Sequence, residues 1–267
     1  MTTGPDVTNC GLSSGEAQRG NVSKPDRLDH AVLRPVRAHH AFEACVEQLA
    51  IAIRLGIYPP GTMLPPERDL AAMLSVSRAT LREAITALRS AGVVQTRRGR
   101  GGGTVVLDSV PVDEKHSGAT ALAGRQDDLR DALDFRAIVE PGAAALAAVR
   151  CGRDDVSADD RRALEAALEA VENAPDEAIH RRADSILHLT IARLSGSARL
   201  ITAVTDAQDD LHTLLQAIPV LPRNIRHSSS QHRSIVTAIL AGNESRANRV
   251  MYQHCSDTAA LLRGLLG

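Results

Sequence analysis

The chain has 267 residues, 43% of them hydrophobic and 24% charged, so it can form one large or two ordinary globular domains. Its formal net charge of -1 gives no global sign of nucleic-acid binding, although a basic patch can lie on one domain of a neutral chain. Aromatic residues make up only 1%, which argues against modules that stack single-stranded bases on aromatic rings.

Cysteine and hydropathy patterns favour a cytoplasmic protein. The four cysteines are scattered and form no C-x-x-C pair, as expected for a reduced chain. No apolar run approaches the roughly 20 residues that a membrane-spanning helix needs. The N-terminus lacks the hydrophobic core of a signal peptide. Residues 1–34, rich in Gly, Ser, Thr and Pro, are predicted to be a disordered tail.

Residues 35–108 are predicted to form a first domain of three helices and a β-hairpin. Apolar residues at helical spacing predict the first helix, namely Phe42, Cys45, Val46, Leu49 and Ile53. The second and third are predicted at Glu67–Leu74 and Arg78–Ser90, and Gly92 is the expected C-terminal cap of the third. Two β-like runs, Val93–Thr96 and Thr104–Leu107, flank the basic, glycine-rich loop Arg97–Gly103.

The third predicted helix has two unlike faces. Leu81, Ile85 and Leu88 form an apolar stripe, and Arg78, Arg82, Thr86 and Arg89 share the opposite face. Ser77 is placed to cap the N-terminus, whose free N–H groups attract phosphate. This order of elements is typical of a winged helix-turn-helix, in which the second helix of the motif enters the major groove. A solvated arginine face on an ordinary helical hairpin is the alternative, and the basic glycine loop disfavours it.

The rest of the chain predicts a linker and an all-α domain. Residues 109–124 shift towards Pro, Ser, Gly, Asp and Lys, which indicates a linker. Residues 125–267 are rich in Ala, Leu, Arg and Glu and predict a bundle of about six or seven helices. The breaks are predicted at Cys151–Gly152, Asn173–Pro175, Ser195–Gly196, Pro219–Pro222 and Gly242–Asn243, with a further loop at Ser228–Ser230.

Four residues in this domain could bind a metal. Asp184 and His188 are spaced i, i+4 in a predicted helix and therefore stack on one face. His232 and His254 each lie eleven residues from Asn243, so a helical hairpin there would bring the two imidazoles level. Three imidazoles and a carboxylate suit Zn, Ni, Mn or Fe. The alternative for Asp184 and His188 is a plain surface contact.

The motifs of both halves resemble one protein family. ERDLAAM, VSRATLREAITAL and the loop RRGRGGG are similar to the winged-helix domain of GntR-type bacterial repressors, in the branch with an FCD sensor domain. The resemblance implies Arg68, Arg78 and Arg82 as DNA-contacting arginines. It implies Ser77 and Thr80 as phosphate or base partners, and Arg98, Arg100 and Gly102 in the wing. Pro66 departs from the family pattern, which has a helix-capping Ser there.

Arg136-x-x-x-Glu140, Asp184-x-x-x-His188, His232 and Met251-x-x-His254 resemble the FCD domain. The resemblance implies Asp184, His188, His232 and His254 as metal ligands. It implies Arg136 as the cation that faces a bound organic carboxylate. The alternative for Arg136 is an i, i+4 ion pair with Glu140, which contributes little if exposed.

Together these features predict a cytoplasmic, homodimeric transcriptional repressor that binds a pseudo-palindromic double-stranded operator under the control of a small carboxylate. It is not expected to be an enzyme. One rival is a metal-dependent hydrolase or lyase on the helical bundle, but no paired acid/base carboxylates or nucleophile motif accompany the histidines. Another is an architectural DNA-binding protein with a metal-free bundle.

Overall fold

The computed structural model describes residues 1, 41–97, 102–107, 126–216 and 222–266. The tail predicted for residues 1–34, apart from Met1, lies outside these ranges, as do the predicted linker and the wing residues Arg98 and Arg100. The described part of the chain is mainly α, as predicted, and none of its helices is long and apolar enough to cross a membrane.

Residues 41–107 form the N-terminal region of three helices and a two-stranded hairpin. The helices are α1 (Ala41–Arg54), α2 (Glu67–Met73) and α3 (Arg78–Ser90), and the strands are β1 (Val94–Arg97) and β2 (Gly103–Val106). The predicted apolar stripe of α3 lies in the core, with Leu81, Ile85 and Leu88 at most 6% exposed. These elements agree with the winged helix-turn-helix that the sequence predicts.

The two ends of α3 form as its capping residues predict. The Ser77 hydroxyl accepts a hydrogen bond from the Thr80 amide at 3.0 Å, which satisfies one free N–H group of the first turn. At the other end Gly92 has φ +73°, and the Val93 amide donates to the Leu88 carbonyl at 2.9 Å. A positive φ suits glycine, so Gly92 ends the helix in a Schellman turn.

Helix α2 begins without a side-chain cap. Pro66 occupies the N-cap position, one residue before the first helical position. Its carbonyl accepts from the Asp69 and Leu70 amides at 2.8 and 3.0 Å, but it offers no side-chain oxygen to the free amides. The departure from a capping Ser therefore leaves the helix start in place and removes one hydrogen bond.

An extended segment adds to the hairpin that the sequence predicted. Strands β1 and β2 pair antiparallel, with Val94 opposite Val106. On the other side of β2, the Leu64 amide donates to the Thr104 carbonyl at 2.8 Å, and the Val106 amide donates to the Thr62 carbonyl at 3.0 Å. The chain before α2 thus ties β2 to the helical core.

Six helices make up the described C-terminal region. They are α4 (Gln126–Gly152), α5 (Ala158–Glu172), α6 (Glu177–Leu194), α7 (Ala198–Gln216), α8 (Pro222–Leu240) and α9 (Glu244–Leu266). Helix α9 packs along α4, where Ala144, Ala147 and Ala148 are completely buried and small enough for a close approach. Pro141 lies inside α4 and has no amide hydrogen, so the helix lacks one backbone hydrogen bond directly after Glu140.

The loop predicted at Ser228–Ser230 is wrong, because α8 runs through it from Pro222 to Leu240. The Ser229 hydroxyl donates to the Ile225 carbonyl at 2.9 Å, one helical turn back. Ser234 does the same to the Ser230 carbonyl at 3.1 Å. Serines that bond back to the preceding turn are compatible with a helix that tertiary packing already holds.

Candidate functional site

Three buried histidines meet in the C-terminal region, one each from α6, α8 and α9. The ring centroids of His188, His232 and His254 lie 4.6 to 5.4 Å apart. All three side chains are at most 3% exposed. One ligand atom from each ring lies within 4.8 Å of the other two, a spacing that a single metal ion can bridge.

Asp184 completes this cluster from the preceding turn of α6. Its carboxylate oxygens lie 3.3 Å from His232 Nε2 and 4.0 Å from His188 Nε2. All four residues that the sequence singled out therefore converge. The side chain of Asp184 is 16% exposed, the most accessible of the four.

The turn between α8 and α9 places His232 beside His254. Gly242 has φ +67°, and the Asn243 amide donates to the Ala238 carbonyl at 2.9 Å, which ends α8. The Asn243 side chain then accepts from the Arg246 amide at 3.0 Å and caps α9. One residue thus starts the return helix, and the equal spacing on both sides brings the rings level.

Acceptors around the cluster fix two of the rings. His188 Nδ1 lies 2.8 Å from the Glu140 carboxylate, and His254 Nδ1 lies 3.1 Å from the Gln231 amide oxygen. The Gln231 nitrogen donates to Asp257 at 2.6 Å, so its oxygen must face His254. The Gln231 oxygen therefore requires a proton on His254 Nδ1, which leaves the Nε2 lone pair for a metal, and the Glu140 carboxylate beside His188 Nδ1 favours the same arrangement in that ring.

Burial favours the neutral form of two of the rings, His232 and His254. Burial lowers the pKa of His232 to about 4, although the Asp184 carboxylate opposes this shift. Burial also holds the pKa of His254 well below its ordinary value, with further lowering from His232 and Arg136. Neutral imidazole is the ligating form, and a site of three imidazoles and a carboxylate fits a divalent transition metal.

Beside the histidines lies a buried ion pair between Arg136 and Glu140. Arg136 Nε donates to Glu140 Oε1 at 3.0 Å, and both side chains are at most 2% exposed. Burial alone would raise the pKa of Glu140, but Arg136 and His188 hold it well below the usual range. The two outer nitrogens of Arg136, Nη1 and Nη2, are buried and have no hydrogen-bond partner among the described residues.

Sequence reasoning missed the partners that assemble this site. Glu140 entered only as an ion-pair partner of Arg136, yet it also accepts from Gln208 at 2.6 Å and from the Cys255 thiol at 3.3 Å. The i, i+4 spacing of Arg136 and Glu140 is a signal for the first contact. Gln208 and Gln231 carry no signal, because their roles depend on how the helices pack.

The candidate DNA-contacting residues lie at the start of α3 and beside it. Arg82 is exposed and donates to Glu67 at 2.7 Å, and Arg68 pairs with Asp69 at 2.9 Å. Ser77 and Thr80 share a hydrogen bond between their hydroxyls at 2.8 Å. Arg78 is exposed on α3 one turn before Arg82, and Gly102 is exposed directly before β2.

Comparisons with known proteins agree with this architecture. Residues 42–106 match the gntR family of bacterial regulatory proteins, and residues 131–257 match the FCD domain. An uncharacterized HTH-type transcriptional regulator of Mycobacterium tuberculosis is 33% identical over 81% of this chain and 87% of its own length. The Glc operon transcriptional activator of Escherichia coli is 29% identical over 79% of this chain and 85% of its own.

Among solved structures, Streptococcus agalactiae GntR is 26% identical with a TM-score of 0.45, over 82% of this chain and 99% of its own. The N-terminal winged helix and helical C-terminal domain define a DNA-binding transcriptional regulator, and not an enzyme. The chain belongs to the GntR family, and its C-terminal half is an FCD domain.

Proposed function

We propose that this regulator is a homodimeric repressor whose operator affinity is controlled by a small carboxylate bound in the FCD domain. Asp184, His188, His232 and His254 hold a divalent metal, and Arg136 binds the carboxylate. The observation that carries the proposal is the position of Glu140. One of its oxygens lies 3.0 Å from Arg136 Nε and the other 2.8 Å from His188 Nδ1, so the cation and the histidine cluster are direct neighbours.

The unpaired nitrogens of Arg136 support an anionic ligand. Buried N–H groups of a cation without acceptors are costly, and structures seldom retain them without a role. Glu140 binds only Nε, and no other described residue accepts from the two outer nitrogens, which form a planar fork. A carboxylate matches this fork and would form two charge-assisted hydrogen bonds.

The metal would supply a Lewis acid beside this fork. Glu140 and Gln231 orient two of the imidazoles, and burial keeps His232 and His254 neutral. The chain's own residues thus provide a preformed set of metal ligands, with imidazoles already oriented. The alternative is a bundle that functions without a metal. Elemental analysis of natively purified protein distinguishes these two hypotheses. We expect close to one metal ion per chain, and a clearly substoichiometric metal content would contradict the proposal.

The exposed face of the winged helix supports DNA reading. Arg78 and Arg82 are exposed on α3, where they can reach base edges in the major groove. Ser77 and Thr80 lie at the start of the same helix, and Arg68 lies on α2 next to Glu67, the partner of Arg82. Arg98, Arg100 and Gly102 belong to the proposed wing, whose cations would meet phosphates or a narrow minor groove.

An apolar face on α4 supports a dimer. Phe135, Ile138 and Leu146 are 40%, 73% and 37% exposed and lie on one side of the helix. A β-carbon placed on Gly142, between them, would meet no atom within 4 Å. A second copy could cover this face, and a two-fold dimer would place two winged helices on half-sites about one helical turn apart.

The experiment that tests the proposed function is selection of bound fragments from a genomic library by the metal-loaded chain. We expect enriched fragments to share a pseudo-palindrome, and added carboxylates to change its occupancy. The E. coli relative is named an activator, so reporter assays must score both signs of regulation. Enrichment of no sequence over bulk DNA would contradict operator binding, and occupancy unaffected by any carboxylate would contradict effector control.

A further inference from the structure

Gln208 lies next to Arg136 in the FCD domain and is completely buried. Its side-chain nitrogen donates to Glu140 Oε1 at 2.6 Å, the same oxygen that accepts from Arg136 Nε. Because a guanidinium nitrogen can only donate, Oε1 of Glu140 is the acceptor in this ion pair, and the amide nitrogen is the Gln208 atom that it can meet. The orientation of the Gln208 amide is therefore fixed, with its nitrogen towards Glu140.

In this orientation no donor from the described part of the chain reaches the amide oxygen of Gln208. Among the described residues Oε1 of Gln208 is buried and unpaired, as are Nη1 and Nη2 of Arg136. Two side chains that share one acceptor oxygen thus offer two unused donors and one unused acceptor. A carboxylate alone satisfies the donors and leaves the acceptor unpaired.

We infer that Gln208 is a specificity-determining residue, whose carbonyl accepts a hydrogen bond from a hydroxyl beside the carboxylate of the effector. The inference rests on the proposed function and names the ligand class as 2-hydroxy acids. Charge favours a hydroxyl over an ammonium group as the donor. Arg136, the Glu140 and Asp184 carboxylates and a divalent metal leave one positive charge, which a hydroxy-acid anion neutralises and a zwitterionic amino acid does not.

The test is calorimetric titration of the full-length, metal-loaded chain with three matched acids: 2-hydroxypropionate, 2-oxopropionate and propionate. The hydroxy and oxo acids can both reach a metal through two oxygens, but only the hydroxy acid can donate to Gln208. We expect the hydroxy acid to bind about tenfold more tightly than the oxo acid. Equal affinity of the two would overturn the assignment without any variant.

Gln208→Met provides the second arm, because it keeps the side-chain length and removes the carbonyl. The ratio of hydroxy-acid to oxo-acid affinity should fall towards one, whereas a purely structural role would weaken both acids equally and also overturn the assignment. Failure of the proposed function looks different: no acid would bind the wild-type chain, or Arg136→Gln would bind all three as well as wild type does.

A second inference rests on a different contact, the ion pair between α1 and α7. The guanidinium of Arg54 donates to both carboxylate oxygens of Asp209 at 2.9 and 2.8 Å, and both side chains are about two-thirds or more buried. Arg54 is the last residue of α1 in the winged-helix domain, and Asp209 follows Gln208 directly on α7. Neighbouring residues of one helix therefore contact the effector site and the DNA-binding domain.

We propose that this bidentate pair transmits effector binding to the DNA-binding domain. A shift of α7 on ligand binding would change the placement of α1 through a stiff, two-point contact. The readout is the ratio of operator affinities without and with saturating effector, which typically lies at about 5- to 150-fold in coupled systems. Asp209→Asn and Arg54→Gln should each bring this ratio close to one while the isolated effector affinity stays measurable.

The double variant Arg54→Asp with Asp209→Arg exchanges the two charges, and it should restore part of the effect of the effector on operator affinity. Asp160→Asn is the matched control, because Asp160 pairs with Arg193 at 2.6 Å within the FCD domain alone; it should leave the ratio unchanged. A wild-type ratio in folded Asp209→Asn protein would overturn the link. If the effector does not change the operator affinity of the wild-type chain, both the role of the Arg54–Asp209 pair and effector control are wrong.

Discussion

The histidines of the FCD site make the stability of the metal-free protein depend on pH. Burial lowers the pKa of His232 from 6.5 to about 4, so between these values the unfolded chain binds more protons than the folded one. Stability therefore falls as the pH drops through this window, by about 3 kcal/mol for His232 in full. The lowered pKa of His254 acts in the same direction.

Urea denaturation of metal-free protein at pH 7 and pH 5 measures this effect. We expect wild type to lose stability on acidification and His232→Gln to lose clearly less. His227→Gln is the matched control, since His227 is 63% exposed and pairs with Asp257 outside the cluster. An identical pH dependence in wild type and His232→Gln would contradict a buried, neutral imidazole.

The arginines of α3 differ in how free they are to meet DNA. Arg82 donates to Glu67 at 2.7 Å and would have to leave this partner in order to contact a base or phosphate, as we propose. Arg78→Ala or Arg82→Ala should weaken specific operator binding by about 5- to 150-fold, as expected for loss of a bidentate base contact. Glu67→Gln should bind at least as tightly as wild type, because it releases Arg82.

Fluorescence anisotropy with the selected operator and a scrambled duplex measures both affinities. A base contact predicts a loss for the operator that exceeds the loss for the scrambled duplex. Equal losses of affinity for the two duplexes would mean that these arginines bind phosphates only. Full operator affinity in both alanine variants would mean that α3 does not contact the DNA.

At the scale of elements, the FCD fold depends on a backbone contact between two glycines. A β-carbon on Gly242 would lie 2.7 Å from the Gly152 Cα, and Gly242 also has φ +67°. Gly242→Ala therefore combines a clash between backbones with an unfavourable dihedral, and we expect it to cost about 1–3 kcal/mol or more. Gly264→Ala is the control, because Gly264 belongs to α9 and not to the apolar face of α4, a β-carbon there meets nothing within 4 Å, and alanine favours the helix by about 0.5–1 kcal/mol.

Urea unfolding curves of the two variants and wild type give these differences. We expect opposite signs for Gly242→Ala and Gly264→Ala. A neutral Gly242→Ala would mean that α4 and the turn before α9 can separate freely. The site would then be less rigid than the hydrogen bonds around the histidines indicate.

Elements defined by local rules could be predicted from the sequence, and contacts across the bundle could not. Ser77 and Gly92 gave both ends of α3, and the equal spacing about Asn243 gave the meeting of His232 and His254. The loop predicted at Ser228–Ser230 was wrong because the polarity of these residues suggests a loop, whereas the packing of α8 stabilises a helix there. Gln208, Gln231 and the contacts of Glu140 beyond Arg136 could not be predicted, because a polar residue reveals a buried partner only after the helices are packed.

For the whole molecule, the apolar face of α4 predicts self-association. Ile138 is 73% exposed, with Phe135 and Leu146 on the same side of the helix. Ile138→Glu would place a charge in the proposed interface and should shift the protein from dimer to monomer in sedimentation equilibrium. Ile179→Glu, at another exposed apolar residue 41% accessible, is the control and should leave the dimer intact.

A monomeric wild-type chain at micromolar concentration, or an Ile138→Glu variant that remains dimeric, would contradict this interface. In the first case a pseudo-palindromic operator would have to assemble the dimer on DNA. In the second, a different surface would join the two copies, and the spacing of the winged helices would follow from that surface.

The most direct test of effector control is operator affinity measured across a titration of 2-hydroxypropionate into metal-loaded, full-length protein. Calorimetry under the same conditions shows when the FCD site is saturated. The account predicts that operator affinity changes by about 5- to 150-fold over the range in which the site fills. The same operator affinity for empty and saturated protein would contradict the account, however tightly the acid and the DNA each bind.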